Sequence, residues 1–543
     1  MLFGKRRGRV ARRVREAALA GFEALDRRFP AAETGGALLR KAFPGHWSYL
    51  LGEIALYSLV VLVVTGCYLV LFFDASMVQT VYDGAYGPLR GLRTTQAYAS
   101  TLRISFDVRG GLLIRQVHHW AALVFVAAAG IHMLRIFFTG AFRRPRELNW
   151  VIGVTLFLLA LLEGFCGYSL PDDLLSGTGL RTANTIVMSL PVVGTYLSFL
   201  IWHGPFPGEG FIPRLYIVHV FFVPGVLLAL VALHLFLVVY LKHTHWSDQG
   251  RTNRNAVGEP MFPQFTMKST GLFFMVSGSL TVLGALAQVN PVWSYGPYRA
   301  DQVTTDAQPD WYVGFLEGAL RLMPPWESAV AGHTLMWNVL LPAVVLPGLL
   351  FLILYAYPLF EKWVTGDASE HHLCDRPRDR PTRTAFGVAA VLGYALLLVA
   401  GGNDVIALTF RLSVEELTRV LRVLVVLGPV LAFVVTKRLC LALQGRDRRR
   451  LEEGEETGEV EQSVSGGLGE GHRPLSPRRR YRLMVREMPR PLPDRPAPLT
   501  RRHRLRVALS SWYYRDRVDM PVTAEQRELI AGRLAAPARE PQE

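Results

Sequence analysis

The sequence predicts an all-α, polytopic membrane protein with about eight transmembrane helices. Three observations predict it. Half of the 543 residues are hydrophobic. Only 19% are charged, against about 25% in an ordinary soluble chain. The apolar residues gather in runs near 49–73, 112–139, 149–168, 215–241, 270–288, 333–357, 384–400 and 420–442, most of them close to the roughly 20 residues that cross a hydrocarbon core. Lipid supplies no backbone hydrogen-bond partners, so spanning segments are helices or closed barrel strands, and runs this long and continuous are helices. A disordered polyelectrolyte and a typical cytosolic enzyme are both excluded.

Taken in order, residues 1–45 form a basic N-terminal segment. Val10, Val14, Ala18, Phe22, Leu25 and Phe29 recur every three or four residues among arginines, an amphipathic stripe suited to an anionic inner leaflet. Residues 46–243 hold the first four spans and residues 244–442 the other four. Residues 443–543 mix Arg, Glu, Gly and Pro with little periodicity, which reads as a largely disordered tail, with a short patch at 507–514 able to dock on a partner or the membrane. The net charge is +15; with the apolar runs and the basic stripe, the expected partner surface is a lipid membrane, and no nucleic acid is expected. The N-terminus and the loops near 140–148, 242–269 and 358–383 carry 23 Lys and Arg, against 10 on the opposite loops. The positive-inside rule makes the first side cytoplasmic, with both termini inside. The four cysteines form no C-x-x-C pair, so neither a zinc ribbon nor a c-type haem attachment is present.

The intramembrane histidines are the sharpest signal, because ionisable groups at membrane depth are rare and usually functional. His118 and His132 are 14 residues apart on the second span, about 21 Å and nearly four whole turns, so they share a face. His219 and His234 on the fourth are 15 apart, which rotates the second by about 100°. Pro224 lies between them and can absorb the difference by a kink or local over-winding. Two matched pairs make two sandwiches, each able to hold a planar macrocycle between one histidine of each helix. The expected core is a dihaem four-helix bundle, with His118, His132, His219 and His234 as iron ligands. With both axial positions filled, such haems transfer electrons and bind no substrate. His119, about 100° off the shared face, reads as a neighbour. Gly52 and Gly66, and Gly153 and Gly167, repeat the 14-residue spacing. Small residues there serve helix packing or clearance for a macrocycle, and the shared spacing favours clearance. Arg115 and Arg135 lie three residues from His118 and His132, placed to pair with propionates; Arg135 could equally anchor at the interface.

These residues resemble cytochrome b, the core subunit of cytochrome bc-type quinol:cytochrome c oxidoreductases. The likeness covers about residues 45–360. It rests on Ile-Arg-x-x-His at 114–118, His-x-x-Arg at 132–135, Gly-Tyr-x-Leu-Pro at 167–171, Pro-x-x-Gly-Thr at 191–195 and Pro-Asp-Trp-Tyr at 309–312. The Gly-Gly-Asn-Asp turn at 401–404 and the long extension look actinobacterial. The resemblance implies two b-type haems, a low-potential one outside between His118 and His219 and a high-potential one inside between His132 and His234. It implies quinol as substrate, menaquinol in the actinobacterial branch, and as partners a Rieske iron–sulfur subunit and a dihaem cytochrome c subunit. It also implies a homodimer of complexes joined to a terminal oxidase in a supercomplex.

The outer quinol site then falls at Asp310 and Tyr312, with Asp310 where the family carries Glu. Glu317 stands where the mitochondrial pattern has Tyr. Seven residues from Asp310, it is expected on the same helical face as a second acid. At the inner site the family's Lys-Asp pair appears as Lys268-Ser269, and His243 and His245 are candidate proton donors. Two rivals carry less weight. A dihaem dehydrogenase anchor gives no reason for Pro309–Tyr312, and a transporter with proton-relay histidines needs no matched four-turn spacing.

Overall fold

The computed structural model describes residues 36, 39–248, 250–302, 308–484, 489–493, 500–523, 525–526 and 529. The basic stripe at 5–29 lies outside the described residues. Eight long apolar helices, labelled α1 to α8, run Trp47–Leu69, Gly111–Phe138, Glu147–Ser169, Phe211–Tyr240, Met261–Leu286, Trp337–Thr365, Pro381–Gly401 and Val414–Glu453. They follow the eight expected runs in order. The fifth begins nine residues earlier than hydropathy suggests, because polar Lys268 and Ser269 interrupt the apolar run but not the helix.

Local chemistry sets the ends. The His46 ring accepts the Ser48 N–H at the start of α1. Gly110 precedes α2 at φ 72°, a left-handed conformation that glycine adopts without steric cost. Within α4, residues Val218–Phe222 form a wide π turn. Pro224 follows at once, and a proline lacks the N–H and crowds the carbonyl four residues back. A π turn inserts one residue into the helical register. The extra residue in the His219–His234 spacing is therefore taken up by the under-wound π turn, where a kink or local over-winding was expected.

The first four helices pack as a bundle. One core cluster joins Ala55 and Leu59 of α1, Leu123, Phe125 and Val126 of α2, Ala160 of α3, and Tyr312 from a loop before α6. Helix α5 packs on α1 and α2 through Leu280, Val276, Val117 and Ala121. Helix α6 joins α2 and α3 through Tyr357, Phe137, Trp150 and Val154. The short helix Gly314–Leu322 is held between α7 and α8, with Leu322, Ala400 and Leu421 buried together. Only 6% of the apolar window of α8 is buried. Such a face is stable against lipid and not against water.

At the predicted cytoplasmic end, a buried ion network locks α6 to α7. Arg383 is fully buried and donates to Glu361 (2.9 Å) and Asp375 (2.8 Å). Arg143 and Arg380 also reach Asp375, at 3.0 and 3.1 Å. Burial raises the Asp375 carboxyl, but the three guanidiniums outweigh it and hold it well below the usual carboxylate range. Removing one member strands the others. Arg383→Met is expected to cost roughly 3–5 kcal/mol, read as a lower thermal unfolding midpoint of the solubilised complex. An unchanged midpoint would refute the locking role.

The C-terminal region departs from the expected disordered tail. Helix α8 continues to Glu453, a hairpin pairs Glu455–Gln462 with Leu468–Arg473, and a helix spans Arg501–Tyr513. That last helix docks on the chain itself. Arg506 Nε donates to the Trp363 carbonyl (2.7 Å), Thr382 Oγ1 donates to the Tyr513 carbonyl (2.6 Å), and Trp512 stacks near Phe433. Composition hid this, because a few aromatic contacts suffice to dock one helix.

Candidate functional site

Glycines on α1 and α3 face the four histidines of α2 and α4 in two tiers. In the outer tier, a Cβ on Gly66 would lie 3.3 Å from His118 Cε1, and one on Gly167 only 2.6 Å from His219 Cε1. In the inner tier, Gly52 stands in the same way 3.1 Å from His132, and Gly153 stands 3.8 Å from His234. Any side chain at Gly167 would displace the ring; Gly153 has ordinary room. The ring centroids of His118 and His219 are 6.3 Å apart, at 81° to each other.

The polar groups around the tiers suit a bound haem. His118 Nδ1 lies 2.9 Å from Thr65 Oγ1, whose proton goes to the Val61 carbonyl, so Thr65 is free to accept. Arg115 Nε and Nη2 and Arg135 Nε are buried without a hydrogen-bond partner. Arg115 lies over Trp293 at 5.7 Å and Arg135 over Tyr49 at 4.3 Å. Unpaired buried guanidinium nitrogens are costly, and a propionate at each end would satisfy them. The residues present therefore fit a macrocycle in each tier.

The outer acid is held by a residue that helical periodicity sets aside. His119 Nε2 meets Asp310 Oδ1 at 2.9 Å, and the Tyr312 hydroxyl donates to Asp310 Oδ2 at 3.1 Å. The available signal was the angular offset of His119: off the face of His118 and His132, it points to the 309–312 loop. Tyr312 is buried beside Gly164. Burial, the nearby Asp310 charge and its hydrogen bond push the Tyr312 phenol well above its ordinary value.

Asp310 and Glu317 do not share a helical face. The chain turns through Trp311–Val313, and the helix begins only at Gly314. Glu317 pairs with Arg321 (Nε 3.1 Å), which also reaches Asp404 and Asn403 at 2.7 Å. Burial raises the Glu317 carboxyl and Arg321 opposes it. Glu317 thus belongs to a second, ion-paired cluster.

At the inner side Lys268 is exposed and paired with Glu259 at 2.6 and 2.7 Å. Its neighbour Ser269 donates to Glu53 on α1 at 2.5 Å, with the Tyr57 hydroxyl against both. Sequence reasoning missed Glu53, which follows Gly52 of the inner tier. The two loop histidines separate clearly. His245 Nδ1 accepts the Val257 N–H (3.2 Å) and Nε2 faces the Thr252 carbonyl (3.0 Å), a structural role. His243 Nδ1 is buried with no hydrogen-bond partner, its ring 4.5 Å from that of Phe43. Burial, then Lys41, Arg146 and Arg135, push the His243 imidazole down to about 4.

Known proteins resemble this chain in sequence and in fold. The family pattern described as Cytochrome b(N-terminal)/b6/petB matches residues 123–297. The cytochrome bc1 complex cytochrome b subunit of Streptomyces coelicolor is 48% identical over 506 residues, covering 91% of this chain and 93% of the relative. Its counterpart in Mycobacterium bovis is 49% identical, with coverages of 88% and 86%. In Corynebacterium efficiens the identity is 48%, with 83% of each chain covered. In fold, a chain of a hyperthermophilic respiratory Complex III superposes with a TM-score of 0.57 at 20% identity, over 76% of this chain and 98% of that one. The chain therefore belongs to the cytochrome b family, among the cytochrome b subunits of bacterial cytochrome bc1 complexes.

Proposed function

We propose that this chain carries two b haems, one per histidine tier, between an outer site that oxidises menaquinol and an inner site that reduces quinone. Family membership makes it a multi-pass membrane subunit of a quinol:cytochrome c reductase, with b-type haem and with Rieske and cytochrome c subunits as partners. The finer reading is supported chiefly by the two tiers, in which histidines of α2 and α4 meet glycines of α1 and α3.

His118 and His219 in the outer tier and His132 and His234 in the inner tier would hold a b haem, which would supply one-electron transfer. The chain's own residues handle protons. At the outer site the Asp310–His119 pair takes a proton from a quinol hydroxyl, and Tyr312 fixes the carboxylate's second oxygen. A positioned base of this kind contributes about 10²–10⁴-fold. At the inner site Glu53, held by Ser269 and Tyr57, gives a proton to the reduced quinone, and the neutral His243 ring relays one from solvent, taking it on one nitrogen as it releases one from the other, while Lys268 stays on the surface with Glu259. The four scattered cysteines offer no cluster site, so the iron–sulfur centre belongs to a partner. A dihaem cytochrome c, a homodimer of complexes and a terminal oxidase in a supercomplex complete the proposed assembly.

The sidedness follows from loop charge: the 140–148 loop is cytoplasmic and the 301–310 loop external, with both termini inside. Cysteines placed at Arg144 and Gln302 and probed in intact cells with an impermeant thiol reagent test it. Labelling at position 302 and protection at 144 is the expected result. The opposite pattern would invert the membrane orientation and with it the two sites.

A further inference from the structure

One acid inside the bundle has no role in proton transfer as derived above. Glu163 lies on α3 one turn before Gly167, so both present the same face to α4. Gly167 clears the edge of the His219 ring, and Glu163 Oε1 lies 2.8 Å from His219 Nδ1, off the line of a straight N–H···O bond as the ring stands. Both side chains are 17% exposed. The second carboxylate oxygen, Oε2, is buried with no hydrogen-bond partner, so no other group ties the acid down.

The other three candidate ligands lack such a neighbour. His118 has a neutral hydroxyl, Thr65. Neither His132 nor His234 has a side-chain partner at Nδ1. Among the described residues, Glu163 is the single carboxylate at ion-pair distance from any of the four.

A carboxylate on the outer nitrogen of a metal-bound imidazole fixes its orientation and raises its basicity. A more basic axial ligand, with an anion close by in a medium of low dielectric, favours the oxidised iron. We infer that Glu163 is the positioning residue of His219 and lowers the potential of the outer haem relative to the inner one. An electron delivered outside then runs downhill to the inner tier. The inference rests on the reading that each tier holds a b haem.

Potentiometric titration of the intact purified complex tests it, following the b-haem α-bands and low-temperature EPR of the wild type, Glu163→Gln and Glu163→Asp. The glutamine keeps shape and removes charge; the aspartate keeps charge one methylene short. The expected result is a positive shift of the outer component in Glu163→Gln, a smaller shift in Glu163→Asp, and an unmoved inner component. Loss of the outer component in Glu163→Gln alone would equally show that the charge holds the ligand. An unmoved outer component in Glu163→Gln would overturn the inference, as would equal shifts or haem loss in both variants, which mark packing in place of charge. A wild-type complex without two b components would instead refute the underlying haem reading.

Discussion

Replacing His219 by alanine is expected to abolish the outer b component while leaving the inner one, and His234→Ala to do the reverse. Under the proposed assignment each substitution removes one of the two histidines that would hold a haem, and the remaining one, His118 or His132, lies on the opposite helix. The vacated volume adds a cavity penalty of about 2–5 kcal/mol for a large-to-alanine change. Loss of a bound group also removes its contribution to folded-state stability. The variant membranes should therefore show one missing component by redox titration and a lower unfolding midpoint. Retention of both components in either variant would refute the tier assignment. Gly167→Leu should mimic His219→Ala, because a Cβ at that position already falls 2.6 Å from the His219 ring.

The second large effect is expected at the outer acid. Asp310→Asn keeps the shape and the Tyr312 contact but removes the base, so quinol oxidation should fall by roughly 10²–10⁴-fold. Both haems should stay loaded and the complex assembled. His119→Gln should slow the same step, since the imidazole and the carboxylate share one hydrogen bond at 2.9 Å. Glu317→Gln should act differently: it breaks the pairing with Arg321 and should loosen the short helix more than it slows proton transfer. Wild-type turnover of Asp310→Asn across pH would leave that carboxylate without a catalytic role.

Much of the fold is legible in the amino-acid sequence itself. The bilayer demands continuous apolar helices, so the eight spans appear directly in the hydropathy of the chain. The histidine pairs, 14 and 15 residues apart, and the glycine pairs, each 14 apart, also announce themselves, because helical periodicity converts sequence distance into a shared face. What stays hidden depends on contacts between distant segments. His119 meets Asp310 across 191 residues, and Ser269 meets Glu53 across 216; no local pattern reports either. The Asp310–Glu317 face fails because periodicity applies only inside a helix, and the chain turns before Gly314. Lys268, matched to a family pair, is bound instead to Glu259 nine residues away. The docking of Arg501–Tyr513 on α6, α7 and α8 is masked by a surrounding composition typical of disorder.

In the proposed assignment four histidines fill every axial position of two haems. The most direct test is quantitative haem extraction from the purified wild-type complex, combined with a carbon monoxide difference spectrum of the reduced protein. Two b haems for each copy of this chain, with no carbon monoxide adduct, is the result expected when all four axial sites are protein nitrogens. One b haem or none for each chain, or a b haem that binds carbon monoxide, would contradict it.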